Sequence, residues 1–173
     1  MPYWQLFYHF VWGTKKREPS LTADVEAAVH ELLRGKAVGL GATVFALNGM
    51  PDHVHLVAAV PPSIAVSEFI GQVKGVASAK FNQARLRDLP LYWQEEYGVF
   101  SFHQKVLSNF VAYVAQQKQH HAEGHLLPVL ERTDHHPVQM VREPAPSYMT
   151  GHDEWWHEME QMELIDPATG TDS

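Results

Sequence analysis

Two histidines separated by one hydrophobic residue, His53 and His55, are the first residues of this sequence that could do chemistry. In a β-strand, successive side chains alternate between faces, so both imidazoles would project from one face with α-carbons roughly 6.5 Å apart, while Val54 would point into the core. Two such imidazoles can bind one cation, and Asp52 could orient one of them through its second ring nitrogen. In a chain with 12 histidines such a pair also arises by chance, and taken alone it is more typical of a structural role.

A tyrosine and a glutamine further along the chain, Tyr113 and Gln117, are separated by four residues. On a helix this spacing places both side chains on one face, about one turn apart. Tyrosine supplies a nucleophile and glutamine an oxygen ligand. Taken separately, each residue is more typical of a non-catalytic position: Tyr113 of a core tyrosine, and Gln117 of a solvated amide. Their combination with the histidine pair is what favours a functional site.

The composition indicates a folded domain that binds any metal through nitrogen and oxygen. The chain has 173 residues, of which 45% are hydrophobic and 19% charged, as expected for a globular protein with a real core. It has no cysteine, which excludes disulfides, thiolate zinc sites and cysteine nucleophiles and fits a reducing compartment. We see neither a secretory leader nor an apolar run of about 18 residues, and therefore expect a cytoplasmic protein without a membrane partner.

The negative charge is concentrated at the C-terminal end. The net charge is -7, but residues 1–123 carry +1 and residues 124–173 carry -8. Phosphate binding favours surplus lysine and arginine, and the nearly neutral body can still carry a local basic patch. We therefore predict a domain at 1–123 and an acidic extension at 124–173, which could cover a groove, mimic nucleic acid or solubilise the chain. A cluster of Trp155, Trp156, Met159 and Met162 could dock back on the body.

Hydrophobic periodicity predicts an α+β fold. Its antiparallel sheet would have four to five strands, with helices packed mainly on one face. We expect strands at 4–12, 42–47, 53–60, 91–93 and 97–103, with a longer connection closing the hairpin of the second and third. We expect helices beginning at Ser20 or Thr22 and ending within 35–41, at 63–86, and at 106–121.

Three segments resemble a known family: residues 50–56 (MPDHVHL), 93–101 (WQEEYGVFS) and 113–121 (YVAQQKQHH). They are similar to the single-tyrosine HUH transposases of insertion sequences and to the related transposases associated with repetitive extragenic palindromes. The resemblance covers roughly residues 4–121 in the same order. It implies a ferredoxin-like or RRM-like HUH nuclease fold, so that 1–123 would be the catalytic domain.

The resemblance also implies a mechanism. It makes His53, His55 and Gln117 ligands of a divalent cation, Mg²⁺ or Mn²⁺, and makes Tyr113 the nucleophile that forms a 5′-phosphotyrosine intermediate. The family has a lysine near the site, for which Lys74 is the candidate, although Lys74 could as easily be a solvated surface charge.

The substrate implied by the resemblance is single-stranded or hairpin DNA. Basic residues that could contact its phosphates, or could form an ordinary solvated surface, are Lys15, Lys16, Arg17, Lys80, Arg85 and Arg87. We expect an affinity that falls with salt. Family members act either as homodimers that exchange the tyrosine helix or as monomers, and the sequence leaves both open.

Two other functions fit the same residues. One is a metal-dependent phosphodiesterase in which water is the nucleophile and Tyr113 only positions the substrate. The other is a domesticated, non-catalytic module that binds hairpin DNA. Replacement of Tyr113 by phenylalanine separates the first from a transposase.

Overall fold

A computed structural model of the chain describes residues 3–84 and 88–133. Its strands are β1 (Phe7–Gly13), β2 (Thr43–Met50), β3 (His53–Ala59) and β4 (Gly98–Phe102). Its helices are α1 (Glu26–Gly39), α2 (Val66–Ala84), α3 (Leu107–Ala115), α4 (Gln117–Glu123) and α5 (Pro128–Glu131). Single 3-10 turns lie at Lys15–Arg17 and Gln104–Val106.

The strands form a four-stranded sheet in the order β2-β3-β1-β4, and every neighbouring pair is antiparallel. With α1 between β1 and β2 and α2 between β3 and β4, the chain order is the βαββαβ arrangement of ferredoxin-like folds. The predicted α+β class with an antiparallel sheet is therefore confirmed. The segment expected as a strand at 91–93 forms only a single bridge, between Trp93 and Thr14.

Helices cover both faces of the sheet. The long helices α1 and α2 pack on one face, against the side chains of Phe10, Trp12 and Leu56. On the opposite face, α3 and α5 pack against Val57 and Ala46. The two long helices α1 and α2 share one face, as expected, whereas α3 lies on the opposite face, which was not expected. All seven residues of β3 are consequently buried.

The hairpin between β2 and β3 is tighter than expected. β2 continues through Asn48 and Gly49 to Met50, which pairs with His53, so only Pro51 and Asp52 connect the strands. The prediction of a longer connection is wrong because asparagine and glycine, which usually favour a turn, are here part of the strand. The short connection fixes the position of His53 at the first residue of β3.

The predicted helix over 106–121 is divided. α3 ends at Ala115, and α4 begins at Gln117 after a non-helical Gln116 with φ -100° and ψ 16°. The Asn48 side chain donates a hydrogen bond of 3.1 Å to the Ala115 carbonyl, and a side chain inserted into the helical hydrogen-bond ladder is a common cause of a kink. Helices α1 and α2 begin at Glu26 and Val66, later than expected.

The chain turns back onto the sheet after α4, where Gly124 adopts the left-handed conformation that ends a helix (φ 70°). Leu127 and Leu130 are then buried in the core under α3. The division predicted after residue 123 stays a prediction, and the Trp155 to Met162 cluster lies outside the described residues. In the part of the chain that is described, no helix has the length and apolar character needed to cross a membrane.

Candidate functional site

His53 and His55 project together from the central strand β3. They lie on the face covered by α3, are 4% and 0% exposed, and have ring centroids 5.1 Å apart. Val54 points to the opposite side and is fully buried in the core formed with α1 and α2. The alternation expected from the sequence thus holds in the structure.

A neighbouring side chain engages the Nδ1 atom of each histidine. His53 Nδ1 lies 2.7 Å from Asp52 Oδ1, and His55 Nδ1 lies 2.9 Å from His9 Nε2. The residue of β1 that pairs directly with His55 is Val11. His9 lies two residues before Val11 on the same face of the sheet, diagonally across from His55, and can therefore reach it. Contacts of this kind fix the ring orientation and tautomer of metal-binding histidines, and both Nε2 atoms are left to face the site.

Glu131, the last residue of α5, lies between these Nε2 atoms. Its Oε2 atom is 3.1 Å from His55 Nε2 and 3.3 Å from His53 Nε2, and 3.8 Å from His121 Nε2. Burial raises the pKa of the Glu131 carboxyl, but hydrogen bonds with His53 and His55 and the charge of His55 outweigh burial and hold that pKa well below its usual range. Burial also lowers the pKa of His55, which favours the neutral imidazole that binds metals.

Tyr113 and Gln117 meet at the same carboxylate. The Tyr113 hydroxyl donates a short hydrogen bond to Glu131 Oε1 and accepts one of 3.3 Å from the Leu127 amide. Gln117 Nε2 lies 3.4 Å from the same Glu131 oxygen. Burial, and then the nearby Glu131 charge, raise the pKa of Tyr113, so the phenol stays protonated at neutral pH. The kink at Gln116 does not separate the two side chains.

The donor atoms at this site fit a divalent cation. His53, His55 and Glu131 each offer one ligand atom, and these atoms lie within 4.8 Å of one another. The buried Gln117 Oε1 atom has no hydrogen-bond partner among the described residues, and buried polar atoms without partners are costly unless something else binds them. Imidazole nitrogen with carboxylate and amide oxygen is a donor set for divalent metals.

Lys74 lies elsewhere. It is 7% exposed, and its Nζ atom donates to the carbonyls of Gln94, Glu95 and Glu96 at 2.8, 3.1 and 3.3 Å. Burial lowers its pKa to about 8, against the opposing charges of Glu96 and Glu95. Its ammonium donors are therefore committed to one backbone segment and are not directed at Tyr113 or the histidines.

The basic turn Lys15–Arg17 follows β1 directly beside the histidine strand. The Thr14 amide donates to the Asp52 carbonyl at 2.8 Å, which fixes the start of the turn next to His53. Lys16 and Arg17 have positive φ angles of 57° and 56°, a strained conformation often found at functional sites. A surface pocket of about 320 Å³ is lined by Lys15, Lys16, Glu18, Ser20, Leu89, Pro90 and Tyr92.

Among the other predicted DNA contacts, Lys80 is less well placed. Lys80 is exposed on α2, a helix that packs on the sheet face opposite the histidines. Arg85 and Arg87 lie outside the described residues. Of the predicted DNA contacts within the described residues, Lys15, Lys16 and Arg17 are the ones near the histidine strand.

Sequence reasoning missed His9 and Glu131. His9 stands within an aromatic strand and gives no signal of its pairing with His55, because the contact depends on strand register. Glu131 falls in the segment assigned to the acidic extension, where one carboxylate among many carries no signal. Only the burial of Leu127 and Leu130 brings it to the site.

Comparison with known proteins identifies the family. The family model described as "Transposase IS200 like" matches residues 2–117. The ISDra2 transposase TnpA of Deinococcus radiodurans is 34% identical over 77 residues, which are 44% of this chain and 55% of the relative. The chain thus matches only about half the length of that curated relative.

Two solved structures share the fold. A crystal structure of a protein from Deinococcus radiodurans R1 aligns with a TM-score of 0.51 and 24% identity, covering 72% of this chain and 95% of the other. The REP-associated tyrosine transposase bound to a REP hairpin aligns with a TM-score of 0.53 and 13% identity, covering 73% and 76%. The family match over residues 2–117, together with this fold, places the chain in the IS200-like transposase family.

Proposed function

We propose that this protein cleaves and rejoins single-stranded DNA with Tyr113 as nucleophile, at a divalent-cation site formed by His53, His55 and Gln117. One observation carries the proposal. The Tyr113 hydroxyl and the Nε2 atoms of both histidines all contact the single carboxylate of Glu131. Because all three groups lie within contact distance of one small side-chain group, the nucleophile and the metal ligands are close enough together to act on one scissile phosphate.

The cation would be Mg²⁺ or Mn²⁺. When bound, it supplies positive charge to non-bridging phosphate oxygens and makes phosphorus more electrophilic. The protein's own contribution is to fix the ligands, since His9 and Asp52 orient the two rings. The buried Gln117 amide offers an oxygen that has no other partner among the described residues.

Tyr113 would attack phosphorus in line. Its Oη–P bond forms while the bond from phosphorus to the 3′ oxygen breaks, giving a 5′-phosphotyrosine and a 3′ end that takes up a proton. The raised pKa of Tyr113 means that its proton must be removed during attack, and the Glu131 carboxylate already accepts its hydrogen bond. Because an aryl phosphate is a good leaving group, a 3′-hydroxyl can displace the tyrosine and reseal DNA.

We further propose that the DNA is a single strand or hairpin running past the basic turn. Lys15, Lys16 and Arg17 begin next to the histidine strand, and lysine and arginine contacts to phosphate fix the register of nucleic acid. The structurally similar REP-associated transposase was solved with a REP hairpin. The four proposed site residues meet within one chain, so we place the reaction in cis; a homodimer with exchanged helices stays a prediction.

The proposal is tested with purified protein, Mn²⁺ and a labelled hairpin oligonucleotide resolved on a denaturing gel. The wild type should form a denaturation-resistant protein–DNA adduct, and Tyr113→Phe should form none. Tyr97→Phe is the matched control, since Tyr97 is a half-buried tyrosine packed against the other core. Cleavage that persists in Tyr113→Phe would favour a hydrolase that uses water, and binding without cleavage by the wild type would favour a non-catalytic module.

A further inference from the structure

The carboxylate of Glu131 belongs to a segment outside the family match, which ends at residue 117. Several contacts fix this segment to the domain. Leu127 and Leu130 are each 1% exposed in the core under α3. The Arg132 carbonyl approaches Gly98 of β4 so closely that a Cβ there would lie 2.0 Å from it. Glu131 is thus held in the site by packing that does not depend on a bound metal.

We propose that Glu131 is a third protein ligand of the cation, so that the centre is a two-histidine, one-carboxylate site; this inference rests on the metal site of the proposed function. The ligand-atom separations support it. Two ligands at right angles on a cation, each with a bond of about 2.1 Å, are about 3.0 Å apart. Glu131 Oε2 lies 3.1 and 3.3 Å from the two histidine Nε2 atoms.

The same carboxylate links the metal centre to the nucleophile. Its Oε2 atom faces the histidines, while its Oε1 atom accepts the hydrogen bond of Tyr113. Glu131 therefore also acts as a positioning residue for the Tyr113 hydroxyl. Gln117, whose Oε1 atom is buried without a hydrogen-bond partner among the described residues, can add an amide oxygen to the set.

The donor set predicts which metal binds. Two imidazole nitrogens and one carboxylate suit first-row transition metals, whereas Mg²⁺ prefers oxygen ligands and retains its waters. We therefore expect Mn²⁺ to bind the DNA-free protein at least tenfold more tightly than Mg²⁺.

The test is calorimetric titration of the full-length, DNA-free protein with Mn²⁺. Glu131→Gln, which keeps the size of the side chain and removes its charge, should bind Mn²⁺ at least tenfold more weakly than the wild type. Glu131→Asp, which keeps the charge, should fall between them. The control Glu123→Gln makes the same change at an exposed position on α4 and should bind like the wild type. Circular dichroism verifies that each variant is folded.

A folded Glu131→Gln variant that binds Mn²⁺ within twofold of the wild type would overturn the inference. If that variant also formed the DNA adduct faster, the result would mean that the carboxylate occupies the position of the scissile phosphate. A wild type that binds Mn²⁺ through Glu131 but forms no adduct would instead support this inference and contradict the proposed function.

Discussion

Replacing His9 by phenylalanine should weaken Mn²⁺ binding while leaving the protein folded. His9 is 1% exposed, and its ring centroid lies 6.0 Å from that of Phe110, so phenylalanine keeps an aromatic ring in this buried position. What the substitution removes is the nitrogen that lies 2.9 Å from His55 Nδ1. The affected property is therefore the orientation and tautomer of His55.

The size of the effect follows from the burial of His55. When His55 binds a cation through Nε2, its proton must be on Nδ1, where the variant offers no acceptor. His55 is 0% exposed, so water cannot replace His9, and an unsatisfied buried donor costs about 1–3 kcal/mol. Without metal, the proton can move to Nε2 and face Glu131, so the cost arises mainly on binding. We expect an affinity roughly 10- to 100-fold weaker.

The assay is Mn²⁺ titration of His9→Phe beside two other variants. Asp52→Ala should have a smaller effect, because the Asp52 side chain is 36% exposed and water can take its place beside His53. His125→Phe makes the control change at a side chain that is 74% exposed. If folded His9→Phe bound Mn²⁺ as tightly as His125→Phe, the tautomer argument would be refuted.

Three further predictions concern pH, Lys74 and the packing of α5. Burial holds the pKa of His9 well below the usual histidine value of about 6.5, so the unfolded chain takes up a proton first as the pH falls. The neutral, buried His9 then contributes its full stabilisation above about pH 6.5, and this stabilisation is lost below that pH by up to about 1.4 kcal/mol per pH unit. Urea unfolding at several pH values should show that the free energy of unfolding of His9→Phe depends less steeply on pH than that of the wild type. Lys74→Met should lower the free energy of unfolding by about 1–3 kcal/mol, because the carbonyls of Gln94, Glu95 and Glu96 lose their charged donor. The Mn²⁺ affinity should stay unchanged, and a large loss of affinity would restore Lys74 to the site. Leu130→Ala should lower the free energy of unfolding by about 2–5 kcal/mol and should also weaken Mn²⁺ binding by displacing Glu131. Val129→Ala, at a partly buried position, should have a smaller effect on both urea unfolding and Mn²⁺ titration.

The sequence predicted those features that depend on local pattern. Alternation along β3 correctly placed His53 and His55 on one face and Val54 on the other, because strand geometry alone determines this. The four-residue spacing of Tyr113 and Gln117 predicted a shared face, and they do meet at one carboxylate despite the kink. The order of elements was sufficient to predict the α+β class.

Features that depend on long-range contacts were not predictable. The kink at Gln116 coincides with a hydrogen bond from Asn48, which is 67 residues away from Ala115. The contact between His9 and His55 spans 46 residues and requires the register of β1 against β3. Glu131 reaches Tyr113 only because Leu127 and Leu130 pack under α3. Periodicity carries no information about such contacts, which explains why two of the site's polar residues were missed.

The central claim, that Tyr113 is the nucleophile, is tested most directly by locating the covalent bond. Wild-type protein is incubated with Mn²⁺ and a hairpin oligonucleotide, the adduct is digested with protease and nuclease, and the modified peptide is sequenced by mass spectrometry. The account predicts a nucleotide attached through its 5′ phosphate to Tyr113. A bond to any other residue, or to the 3′ side of the break, would contradict it.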